Sequence, residues 1–113
     1  MKKYKILISN DDGPASPLLV PFIKAVKALP ICSEVRIVVP AKERSWIAKA
    51  LTRFDPLTVT PHTFGDLPGF TVSGSGALGG TPADCVSLGI NNLYRDPPNL
   101  VLSGINMGNN AGL

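Results

Sequence analysis

The stretch Ile6-Leu7-Ile8-Ser9-Asn10-Asp11-Asp12-Gly13 places the strongest constraint on this chain. A short unbroken apolar run reads as a strand buried on both faces, as at the centre of a parallel sheet. It leads within two residues into a pair of adjacent aspartates. Like charges a few ångströms apart repel, and partial burial adds a desolvation cost. A bound cation relieves both. Asp-Asp-Gly is also an ordinary turn composition, because Asp and Gly dominate turns. Position argues for more than a turn, since open α/β sheets bind ligands at the carboxyl ends of their strands.

The rest of the chain supplies such a sheet. Tyr4 to Ser9 is the first strand. Ser16 is placed to cap a helix with Pro17 at its first position, running to about Leu29. Leu19, Phe22, Ile23, Val26 and Leu29 recur at helical spacing and form its expected buried face. Pro21 should kink this helix or push its start later, and Pro30 closes it. Glu34 to Val39 is the second strand, ended by Pro40, which completes a right-handed parallel βαβ unit. Ala41 to Thr52 reads as a loop followed by a short helix. Leu57 to Thr60 and Phe70 to Ser73 read as short β segments, joined through Pro61 to Gly69 as a hairpin outside the main sheet.

Gly74 to Gly80 is a glycine-rich loop. Thr81-Pro82-Ala83-Asp84 then opens a second helix, with Thr capping, Pro at the first position and Asp in the first turn. Ala83, Val86, Ile90 and Leu93 mark its expected apolar face, and Asp96-Pro97-Pro98 stops it. Asn99 to Ser103 is a further buried strand, entering the polar loop Gly104 to Gly112. The fold class is α/β with a mostly parallel, doubly wound sheet.

At 113 residues the chain, 1–113, is one domain at most. Hydrophobic and charged fractions of 44% and 17% suit a soluble globular protein and exclude a disordered one. The net charge of +3 is mild. Lys42, Arg44, Lys49 and Arg53 cluster enough to favour an anionic ligand nearby, but no specific nucleic-acid partner is expected. Cys32 and Cys85 lack zinc spacing and read as free, reduced thiols of a cytoplasmic protein. The apolar run after Lys2-Lys3 is too short for a signal segment or a membrane span. The single His62 reads as a surface residue. Gly74-Ser75-Gly76-Ala77-Leu78-Gly79 fits G-x-G-x-x-G, but the dinucleotide fingerprint belongs to the first βα turn, and here it comes late.

Three strand ends pool their polar residues: Asn10, Asp11 and Asp12 after the first, Ser45 beyond the second, and Ser103, Asn106, Asn109 and Asn110 after the last. All offer oxygen donors. Such sets suit Mg²⁺ or Mn²⁺, which share the phosphate oxygens of a substrate.

Asn10-Asp11-Asp12-Gly13, Pro40 with Arg44-Ser45, Gly80-Thr81-Pro82-Ala83-Asp84-Cys85-Val86, and Ser103-Gly104-Ile105-Asn106-Met107-Gly108-Asn109-Asn110 together resemble the SurE family, the survival-protein-E nucleotidases. The four motifs span nearly the whole chain in the family's order. The resemblance implies a Rossmann-like three-layer αβα core. It implies a divalent-metal-dependent phosphatase that releases phosphate from nucleoside 5′- and 3′-monophosphates. It makes Asp11, Asp12, Ser45 and Asn106 the metal ligands, places Asn110 against the substrate phosphate, and puts Asn10 beside the metal as a further substrate-binding residue. Asp11 or Asp12 would orient or deprotonate the attacking water.

The chain departs from the family at Ser16-Pro17-Leu18, where a small Ala-Pro-Gly turn is usual, and at the bulky Trp46. Family members also continue well beyond this length, so the chain is expected to be the N-terminal part of a longer protein. The full-length form is expected to be a dimer or tetramer. Two other classes compete. One is a catalytically inactive fragment that binds metal and nucleotide. The other is a receiver-like signalling domain, which needs an acceptor aspartate ending a buried middle strand; Asp55 and Asp66 instead fall in polar loops.

Overall fold

The computed structural model describes residues 2–41, 57–74 and 82–104. Along the chain run β1 (Tyr4–Ser9), α1 (Leu19–Lys27), β2 (Cys32–Pro40), β3 (Leu57–Phe64), β4 (Leu67–Gly74), α2 (Pro82–Asn91) and β5 (Leu100–Ser103). They build one five-stranded sheet in the order β3-β4-β2-β1-β5. β4, β2, β1 and β5 are parallel, and β3 is antiparallel to β4. This is the α/β, three-layer, mostly parallel architecture expected of the chain.

The layers follow from the alternation of side chains along a strand. Ile6 and Ile8 join Ile37, Val39 and Phe64 on one face, against Leu19, Ile23 and Val26 of α1. Leu7 points the other way and packs with Val38, Val72 and Cys85, the last from α2. Ile6, Leu7 and Ile8 are at most 1% exposed, which is why the run carries no polar interruption. Burying each such side chain contributes about 1.5–3 kcal/mol. That packing, rather than intrinsic propensity, holds a helix as short as α1.

Helix α1 starts later than its cap signal suggests. Ser16 sits in a preceding turn, where its Oγ accepts from Leu18 N at 3.3 Å and its carbonyl accepts from Leu19 N at 3.2 Å. Pro21 becomes the third helical residue, among the backbone N–H positions that lack an intrahelical acceptor anyway. Leu29 is 44% exposed and lies outside the buried face. The buried face of α2 includes Ile90, with Leu93 just beyond the helix, as expected, and adds Cys85 and Leu88. Its most buried side chain is Cys85, and a Cβ placed on Gly89 would stand 2.8 Å from Leu7. The helix rests on the sheet through its small residues.

The hairpin belongs to the main sheet. Pro61 to Gly69 is mostly strand: β3 and β4 pair from Leu57↔Gly74 to Phe64↔Leu67, and β4 then pairs with β2 through Val38↔Phe70 and Pro40↔Val72. The turn is the pair Gly65-Asp66, with Gly65 at φ +63°, as a tight hairpin of this length demands. β5 is an edge strand within the described residues, and Leu100 and Val101 are 40% and 41% exposed rather than buried.

A buried cation sets the register of β5. Arg36, 2% exposed on β2, lies with its guanidinium carbon 4.5 Å from the centre of the Tyr94 ring. It donates to the Asp96 carbonyl at 2.6 Å and to Asp96 Oδ1 at 2.8 Å, and pairs with Glu34. Lys5 pairs with the other Asp96 oxygen. Beside them Lys5 N donates to Asn99 Oδ1, and Asn99 N donates to the Lys5 carbonyl, both at 2.8 Å. These contacts fix where β5 begins against β1. A slip of one residue would turn every side chain of the strand to the opposite face.

Lys5, then Arg36, hold the Asp96 carboxyl at about 2 against an ordinary 3.8. A carboxyl lowered on folding contributes stability that is complete above its unfolded value and disappears as pH falls through its folded one. Asp11 works in the opposite sense: burial and neighbouring Asp12 raise it, so its protonation favours the unliganded fold. Urea midpoints are therefore expected to fall between about pH 4 and pH 2, and Asp96→Asn should flatten that limb.

Candidate metal and phosphate site at the carboxyl edge of the sheet

The strand order reverses at β1. From β1 the chain passes through α1 to β2 on one side, and later through α2 to β5 on the other. With α1 and α2 on opposite faces, the crevice at the carboxyl ends of β1 and β5 is the topological switch point where doubly wound sheets bind ligands. Ser9 and Ser103 are register partners there, and Gly104 N donates to the Ser9 carbonyl at 3.1 Å. Asp11 and Asp12 follow β1 directly and stand half-buried at this crevice.

The turn that carries them is held from within. Asn10 is 0% exposed. Its Oδ1 accepts from Gly13 N and its Nδ2 donates to the Gly13 carbonyl, both at 3.0 Å. Gly13 has φ +80°, a conformation side chains disfavour. Both ends of the amide of Asn10, the residue expected beside the metal and substrate, are engaged by Gly13 and shape the loop. Asp11 and Asp12 are the two residues inside that closure.

Burial first, and the Asp12 charge second, push the Asp11 carboxyl above its ordinary 3.8. Two carboxylates that resist being ionised together are suited to a hard divalent cation. Among the described residues, no group of three or more His, Cys, Asp or Glu side chains converges. Ser45, Asn106 and Asn110, and with them Trp46, lie outside the described residues. One neutral oxygen that sequence reasoning missed is the Ser9 hydroxyl, which is buried and has no hydrogen-bond partner. A serine within a strand carries no pattern that singles it out.

Other candidates fall away from this edge. Asp66 lies in the turn before β4, at the opposite end of the sheet. His62 is exposed, its ring 4.6 Å from that of Phe64. Cys32 and Cys85 are free, as expected; Cys85 is buried, and desolvation, then Asp84, raises its thiol well above the ordinary range. A groove of about 900 Å³ opens between the start of β2, the hairpin and Tyr94, but its one carboxylate, Glu34, is already paired with Arg36. Among the described residues, no helix is long and apolar enough to cross a membrane.

The family model described as "Survival protein SurE" matches residues 6–113. The chain is 41% identical over 109 residues to a 5′-nucleotidase SurE of Methanocaldococcus jannaschii, covering 96% of this chain and 39% of that protein. It is 43% identical over 110 residues to a 5′-nucleotidase SurE of Desulforamulus reducens, covering 96% and 40%. A 5′/3′-nucleotidase SurE of Yersinia pestis is 39% identical over 108 residues, with 96% and 38% covered. The crystal structure of a SurE protein from Aquifex aeolicus superposes with a TM-score of 0.68 at 34% identity, over 94% of this chain and 39% of that one. The chain thus spans well under half the length of these relatives. A match running from β1 to the last residue, on a shared fold, makes this chain a member of the SurE family.

Proposed function

We propose that this chain carries the metal-binding part of a phosphatase that hydrolyses nucleoside 5′- and 3′-monophosphates to nucleoside and phosphate. The observation that carries the reading is the Asp11–Asp12 pair, held by the Asn10–Gly13 closure at the switch point of the sheet. The names of the relatives, 5′-nucleotidase and 5′/3′-nucleotidase, support the substrate class. In this reading Asp11 and Asp12 hold a Mg²⁺ or Mn²⁺ ion together with Ser45 and Asn106, and Asn110 meets the phosphate. The bound cation would polarise the phosphoryl oxygens and lower the pKa of a coordinated water. Asp11 and Asp12 would hold the ion, and either carboxylate would be placed to orient or deprotonate the attacking water. Asn10 keeps both at fixed separation by closing the turn. The chain would act in the cytoplasm as the N-terminal part, 1–113, of a longer homo-oligomeric enzyme.

The share of the relatives' length that this chain spans supports a second reading, a module that binds metal and nucleotide without turnover. Phosphate release from 5′- and 3′-nucleoside monophosphates with Mn²⁺ or Mg²⁺, together with Mn²⁺ calorimetry, separates the two. Turnover that chelation abolishes supports the enzyme. Binding without turnover supports the module. Absence of Mn²⁺ binding overturns both.

A further inference from the structure

The Ser9 hydroxyl is the one buried side-chain oxygen or nitrogen among the described residues that has no hydrogen-bond partner. The residue is 0% exposed. A buried hydroxyl left unpaired costs stability, and buried polar groups are almost always satisfied. Its neighbours place it. Ile6 and Ile8 face α1, and Leu7 faces α2, so Ser9 lies on the α2 side of β1. Leu7 sits against Gly89, and Cys85 lies one turn nearer the start of the helix. Because α2 crosses back over the sheet between parallel strands, Ser9, two residues beyond Leu7, lies level with the first turn of the helix. Ser103 is level with it on β5, and Asn10, Asp11 and Asp12 follow it along the chain.

We infer that Ser9 is a hydrogen-bond donor to the bound ligand, its partner being an oxygen that arrives with that ligand: a metal-coordinated water or a phosphoryl oxygen. The inference rests on the metal site proposed above and adds a residue to it. Leaving a donor unpaired in the unliganded protein and pairing it on binding shifts its contribution from the fold to the complex. A hydroxyl with a purely structural role would do the reverse.

The test compares wild type, Ser9→Ala and Ser9→Thr, by thermal unfolding of the metal-free protein and by calorimetry with Mn²⁺, alone and with inorganic phosphate. Ser9→Ala should leave the metal-free unfolding temperature unchanged or raise it by a few degrees. It should weaken binding roughly ten- to hundredfold, the range for a hydrogen bond to a charged group. Ser9→Thr, which keeps the hydroxyl, should restore most of the affinity. Weakening with Mn²⁺ alone identifies the metal-bound water as partner, and weakening only when phosphate is present identifies the phosphoryl oxygen. A metal-free Ser9→Ala protein that unfolds at a clearly lower temperature, or that binds both probes as wild type does, overturns the inference while leaving the metal site standing. A wild type that binds no Mn²⁺ overturns the metal site and the inference with it.

Discussion

Asp12→Asn is expected to lower phosphate release from nucleoside monophosphates by roughly three orders of magnitude while the metal-free protein keeps its fold. A metal ion that polarises a phosphoryl oxygen contributes several kcal/mol of transition-state stabilisation, and each 1.4 kcal/mol or so is a factor of about ten in rate. Asparagine retains one oxygen but removes the charge that balances the cation. In the metal-free state the same change removes the repulsion that, with burial, raises the neighbouring carboxyl. Its unfolding temperature should equal or exceed that of wild type. Steady-state rates, Mn²⁺ calorimetry and circular dichroism together check the prediction. Near-normal turnover, or undiminished Mn²⁺ binding, would refute the assignment of the pair, whichever reading of the chain's activity holds.

The largest effect on stability is expected at Gly69. A Cβ there would lie 2.7 Å from the Ile37 carbonyl oxygen, 2.7 Å from a ring carbon of Phe64 and 2.9 Å from the Ile37 Cβ. Two of these obstacles belong to β2 backbone or its first side-chain atom, and Phe64 is 2% exposed with no room to swing away. Gly69→Ala must therefore spread β4 from β2 or displace Phe64 from the core. Overpacking of this kind costs about 3 kcal/mol, a large part of the 5–15 kcal/mol or so by which such domains are stable. The urea midpoint should fall accordingly with the m-value little changed. A midpoint within experimental error of wild type would show that the strands separate freely at this point.

The elements that were legible in advance are those whose signal is local. β1 could be read because Ile6 to Ile8 permit no other environment, and α2 because Pro82 and Asp84 mark a helix start. Where the outcome depends on what lies across the interface, the pattern misleads. Gly89 is silent in an apolar periodicity, yet its missing side chain lets α2 settle on Leu7, and Cys85 joins Ile90 in the buried face. Arg36 interrupts the apolar run of β2 yet is buried, because Tyr94 and Asp96 reach it from a distant part of the chain and Glu34 from its own strand. The hairpin joins the sheet because β4 finds β2, a pairing that neither segment announces. At the candidate site, strand order explains why Asp11 and Asp12 could be placed from sequence. Which polar atoms of Asn10 and Ser9 are already engaged depends on the local backbone geometry, and only coordinates reveal that.

The ring that Asn10 closes with Gly13 is made entirely by the chain's own atoms. Ordering a loop costs conformational entropy, and here that cost is met during folding rather than at capture. An incoming cation would meet a cradle whose span is set in advance by covalent reach, so that an ion of unsuitable radius would gain nothing from the loop adjusting around it. The four residues from Asn10 to Gly13 would then contribute rigidity, not adaptability, to the choice between chemically similar metals.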